Sequence, residues 1–264
     1  AKMGVKEVEA IKEEIRDIIE RYLEIEDIWG CVPSFANPVK EMLVASEDDV
    51  YEVVKKLKDA WNIGEDGILS VTDLLESKNI KVVEIKADSS FDGLSGYVNN
   101  DENMPFVVVN KSFDVERLRF TGLHELGHLV MNLPEEMEKK DKERLCNLFA
   151  SEMLISRDTF VDVLGERRSD ISLQELKVLQ AVYGISVDAL MFKAKTVGVI
   201  SESKYTSFCI RKNKSLAFKD AVERSSYRGV EESSRFDRLV YRALASDMIS
   251  CSKAAVLLNE PMEE

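Results

Sequence analysis

The sequence predicts an α+β fold that is predominantly helical, with a small three-stranded sheet and a helix that carries an H-E-x-x-H pentapeptide. Three observations predict it. Apolar residues recur at helical spacing over most of the 264 residues. Strand-like runs appear only between Ile80 and Val109. Both histidines of the chain fall in one segment, His124-Glu125-Leu126-Gly127-His128, which is bounded by helix start and stop signals.

The elements follow in order. Val8, Ile11, Ile15, Ile18, Ile19, Tyr22 and Ile25 make an amphipathic helix from Val5 to about Ile28, with an acidic outer face, ended by Gly30 and Pro33. A second helix runs from Asp48 to about Trp61, with Val50, Val53, Val54, Leu57 and Trp61 inside. A third spans Ser70 to Ser77, with Ser70 or Thr72 as its cap. The period then changes. Ile80–Ile85, Leu94–Val98 and Phe106–Val109 read as strands, the last two separated by Asn- and Asp-rich turn chemistry at 99–103. The motif helix runs from about Asp114 to Met131 and is closed by Asn132 and Pro134. Another helix extends from about Glu138 to Leu154, and the chain from Arg157 onward is mostly helical. There, Leu173, Leu176, Leu179 and Val182, then Val187 and Leu190 around Gly184, suggest a helix-turn-helix pair. Phe236 to Leu258 suggests a second pair, turning at Ile249-Ser250. The expected division is an N-terminal helical segment (1–62), a catalytic core (63–158) and a helical C-terminal region (159–264).

Composition bounds the function. With 45% apolar and 32% charged residues the chain is globular rather than disordered. Its net charge of −13 is uneven: residues 1–156 hold 19 Lys and Arg against 33 Asp and Glu, whereas residues 157–264 hold 17 against 16. An acidic front half repels nucleic acid, and a tail of net +1 is poor for it, which argues against direct DNA binding by this chain. Lys204, Arg211, Lys212, Lys214 and Lys219 form a mild basic stretch that reads as a solvated surface. Cys31, Cys146, Cys209 and Cys251 are widely spaced without a CxxC pair, so reduced thiols are expected. No apolar run is long enough to span a bilayer and no signal-peptide core opens the chain, so a cytoplasmic location is expected.

The chemistry lies in the pentapeptide. Residues four apart on a helix share a face, so His124 and His128 can chelate one metal ion while Glu125 reaches a water beside it. One zinc per chain is expected. A catalytic zinc takes three protein ligands, and no third histidine exists. Glu143 on the next helix is the choice. Its E-x-x-x-N spacing puts Asn147 one turn further on the same face, where it can fix a histidine tautomer. Glu152 is the runner-up, Glu135 and Glu136 are less well placed, and Cys146 is a weaker alternative. Gly127 lets a neighbour pack close to the helix. Gly93 and Gly96 mark a strand to which an extended substrate could add, and Tyr97 is a candidate transition-state stabiliser.

Phe120-Thr121-Gly122-Leu123-His124-Glu125-Leu126-Gly127-His128-Leu129-Val130 resembles the active helix of the ImmA/IrrE family of bacterial and phage zinc metallopeptidases. Residues Glu143 to Leu154 resemble that family's second block, E-x-x-A-N-x-F-A-x-E-L-L, with Cys146 in place of the alanine and Ile155-Ser156 in place of the usual Met-Pro. The likeness covers about residues 65–160. It implies a zincin-like, gluzincin-type endopeptidase domain with His124, His128 and Glu143 on zinc and Glu125 as general base. It also implies a protein substrate, a helix-turn-helix repressor or similar regulator of stress-response or mobile-element genes. The alternative is a regulatory or toxin–antitoxin-type partner that grips without cutting. In one branch a DNA-binding domain precedes the peptidase region, and Arg21–Glu26 resembles the joining segment. On that resemblance the chain starts near the junction, as a truncated product or a stand-alone form.

Overall fold

A computed structural model describes residues 4–30 and 34–260; Cys31 and Pro33 lie outside the described residues. In chain order the elements are α1 (Val5–Ile28), α2 (Glu47–Trp61), α3 (Val71–Ser77), β1 (Lys81–Ile85), β2 (Gly93–Tyr97), β3 (Pro105–Asn110), α4 (Val115–Val130), α5 (Lys139–Leu154) and α6 (Arg157–Leu164). They continue with α7 (Leu173–Tyr183), α8 (Val187–Thr196), α9 (Glu202–Lys214), α10 (Leu216–Glu223), α11 (Arg235–Ala245) and α12 (Cys251–Leu258). The expected helical α+β fold, with its three strands ahead of the motif helix, is what forms. Among the described residues no helix is long and apolar enough to cross a membrane.

The chain makes two compact units. The first gathers Ala1–Ala36, Thr72–Phe113 and Glu231–Glu264; the second gathers Asn37–Val71 and Asp114–Val230.

In the first unit, α1 serves two apolar clusters with one stripe. Ile11, Ile15 and Ile19, four apart and so on one face, pack with Val83, Ile85 and Val108 of the sheet and with Phe91 and Val98. Two turns on, Ile25 is fully buried with Val240, Ala243, Ala254 and Leu257 of α11 and α12. The strand order is β1-β3-β2. Central β3 pairs in parallel with β1, with Val83 opposite Val108, and antiparallel with β2, with Leu94 opposite Val108. The buried run Val107-Val108-Val109 suits that central place, since β-branched side chains pack well on a pleated surface. Asn110 then knits the preceding loop, its amide donating to the carbonyls of Ala87, Asp88 and Phe91 at 2.9–3.1 Å. Lys81 enters the interior only as a partner: its Nζ lies 2.9 Å from Glu26 Oε2, because an unpaired buried charge is very costly. The first turn of α3 is met from far away, the Thr72 amide donating to the Glu231 carboxylate at 2.8 Å.

In the second unit α2 packs on α5, and α5 on α4. Ser46 and Asp49 form a reciprocal capping box at α2, and those hydrogen bonds hold the Asp49 carboxyl below its ordinary pKa. Ser172 and Glu175 do the same for α7, which ends at Gly184 in the left-handed region (φ 60°) before Ser186 caps α8. One apolar position expected here is corrected. Val182 is 51% exposed, and the buried stripe of α7 is Leu176, Leu179, Gln180 and Tyr183. Those four follow the i, i+3, i+4, i+7 rule, and residue 182 does not.

Candidate metal centre

The front half of α4 is fastened before the motif begins. Asp114 caps it by accepting the Arg117 amide at 3.0 Å. The side chain of Arg119, fully buried, is clasped by oxygens. Its Nη2 donates to Ile68 O (2.6 Å) and Tyr183 O (3.3 Å), its Nε to Gly184 O (3.2 Å), and its Nη1 to Leu69 O (3.3 Å) and Tyr227 Oη (2.8 Å). The guanidinium thus sits at the carbonyl end of α7, where the helix dipole favours positive charge, and under the Tyr227 ring at 4.5 Å. At the other end of α4, Asn37 Nδ2 donates to Val130 O at 2.9 Å, and the Val44 amide donates to Asn132 O at 2.9 Å.

Between these anchors α4 lies tight against α5. A Cβ on Gly127 would stand 3.1 Å from Phe149 Cδ1, so the glycine sets the close helix–helix approach. That approach brings Glu143 to both histidines. His124 Nε2 is 3.1 Å from Glu143 Oε2 and 3.1 Å from His128 Nε2, and His128 Nε2 is 3.7 Å from Glu143 Oε2. The three form a group able to hold a metal ion. Their chemistry fits zinc: imidazole nitrogens and a carboxylate oxygen are its ordinary donors, and tetrahedral donors at about 2.0–2.2 Å stand roughly 3.3–3.6 Å apart.

The atoms behind the rings are also arranged. His124 Nδ1 is 2.9 Å from Asn147 Oδ1, the contact its spacing from Glu143 suggested. His128 Nδ1 is 3.4 Å from Cys146 Sγ, so the weaker ligand alternative faces the ring's other nitrogen. Cys146 is not in the converging group. Burial first, then the charges of Glu143 and Glu125, push its thiol up to about 12. Glu125 is buried between the two histidines in sequence.

The other ligand alternatives lie elsewhere. Glu152 is buried in an ion pair with Lys193 Nζ and accepts the Arg157 amide at 2.8 Å. Glu135 and Glu136 are exposed in the connection after α4. Tyr97 closes β2 in the first unit, whereas the histidine–glutamate group belongs to the second. Sequence reasoning missed Arg119, whose neighbours Leu118 and Arg117 give no hint of a buried charge.

Residues 75–195, from the end of α3 through nearly all of α8, match the IrrE N-terminal-like domain, Peptidase_M78. This stretch is similar to an IrrE N-terminal-like domain. The likeness is to a peptidase family and suggests a function of the metallopeptidase type. The match runs past the two motif blocks, so the IrrE-like domain takes in α6, α7 and α8 as well. No curated protein matches the chain.

Proposed function

We propose that this protein is a zinc-dependent endopeptidase that cuts a regulatory protein, of the helix-turn-helix repressor class. The observation that supports it best is the convergence of His124 Nε2, His128 Nε2 and Glu143 Oε2, with the buried Glu125 next to His124 in sequence. Zinc bound there would polarise the scissile carbonyl and make water more acidic. His124, His128 and Glu143 would hold it, with Asn147 keeping the His124 proton on Nδ1. Glu125 accepts the proton of the attacking water and delivers it to the leaving amide nitrogen. The choice of substrate rests on the resemblance and on charge, since an acidic surface favours a basic partner. Several cations of the basic stretch are engaged within the chain: Lys204 with Asp170 at 2.7 Å, Lys212 with Asp188 at 2.6 Å, and Arg211 over the Phe218 ring. This supports a protein rather than DNA as the partner.

The test incubates the chain with a purified helix-turn-helix regulator from the same cell and identifies fragments by mass spectrometry. Wild type should cleave at one site, and Glu125→Gln should lose about 100-fold or more in rate while keeping its metal. Equal cleavage by Glu125→Gln would overturn the base assignment. Tight binding of the regulator without any cleavage would favour the alternative of a regulatory or toxin–antitoxin-type binding protein.

A further inference from the structure

We infer that Cys146 is a positioning residue for the metal, its sulfur accepting the Nδ1–H of His128 and holding that ring with Nε2 turned toward His124 and Glu143. The inference rests on the zinc reading above. A neutral imidazole has one proton, so a ring that offers its Nε2 lone pair to a metal carries that proton on Nδ1. Each Nδ1–H then needs an acceptor. For His124 the acceptor is Asn147 Oδ1, at 2.9 Å. For His128 the atom in place is Cys146 Sγ, at 3.4 Å, within the range of a hydrogen bond to sulfur. Cys146 is wholly buried, so bulk water has no access to the thiol.

The geometry also separates this role from that of a ligand. Cys146 Sγ faces the Nδ1 edge of His128, whereas the converging group is built on the Nε2 edge. Consecutive residues of α5, Cys146 and Asn147, thus reach two rings set one turn apart on α4. They differ in strength, because a thiol sulfur is a weaker acceptor than an amide oxygen. His128 is therefore the less firmly held of the two histidines.

The experiment measures zinc affinity of the full chain by chelator competition, with Cys146→Ala and Cys146→Ser beside wild type. Partners of ligand histidines typically contribute 10- to 100-fold in affinity. Cys146→Ala should weaken zinc by about 10-fold, the low end expected of a weak acceptor, and Cys146→Ser should recover most of it because its hydroxyl accepts. In the zinc-loaded protein the His128 Nδ1–H should be visible by ¹⁵N NMR in wild type and the serine variant, and broadened by exchange in the alanine variant. Equal affinity in wild type and Cys146→Ala overturns the inference alone. So does an equal loss in both variants, which would mean that the sulfur only fills space. A wild-type chain that binds no zinc would instead remove the metal reading, and this inference with it.

Discussion

Glu143 and Glu152 are carboxylates on one helix, nine residues apart, and they end in opposite surroundings. At about 100° per residue that spacing turns them roughly 180° from each other. Glu143 is 41% exposed at its side chain and meets two imidazoles, whereas Glu152 is 4% exposed and meets an ammonium. Their consequences should differ in kind. Burial lowers the pKa of Lys193 despite the opposing pull of Glu152, so removing the carboxylate leaves a charge that is already disfavoured. Glu152→Ala should cost about 3–5 kcal/mol of stability, the range for breaking a buried pair, and leave the metal centre's donors in place. Urea denaturation measures it. A loss below about 1 kcal/mol would contradict a structural role for the pair.

At the scale of elements, α4 and α5 carry the candidate metal group and were legible because their signals are local. Asp114 caps α4 one residue from its first helical residue, Asn132 and Pro134 follow its end, and the spacing of Glu143 and Asn147 encodes the contact to His124. The three strands were legible for the same reason, as short β-branched or glycine-marked runs between turns. What holds α4 in place was not legible. Arg119 is satisfied by carbonyls and a hydroxyl 50 to 108 residues away, and backbone oxygens leave no trace in residue type. The same limit hid Glu231 at the start of α3. The register error at Val182 arose differently: the sequence offered one apolar residue too many, and packing chose Gln180 and Tyr183. Gly184 joins these observations. Its positive φ suits glycine, and a Cβ there would fall 2.3 Å from Arg119 Nε. Gly184→Ala should therefore lower stability by about 2 kcal/mol or more, combining left-handed strain of about 1–2 kcal/mol with displacement of a buried, fully used guanidinium. A denaturation midpoint equal to that of wild type would show that the Arg119 clasp does not constrain this turn.

For the whole molecule, fold class was legible in the sequence, whereas grouping in space depends on packing. The uneven charge, the single H-E-x-x-H and the changes of period are properties of neighbouring residues, and they yielded the fold class and the converging group. The two compact units are each stitched from separated segments, and grouping of that kind is decided by packing between surfaces that no local pattern pairs. The IrrE-like stretch from 75 to 195 supplies segments to both. In the second unit, His124, His128 and Glu143 are proposed to hold one zinc ion together. The most direct test is metal content, by mass spectrometry after exhaustive dialysis, of wild type and of single variants confirmed as folded. About one zinc is expected per wild-type and per Glu125→Gln chain, with His124→Ala, His128→Ala and Glu143→Ala retaining almost none, because a site short of one ligand loses most of its affinity. Full zinc occupancy in His124→Ala or Glu143→Ala, or none in wild type, would contradict it.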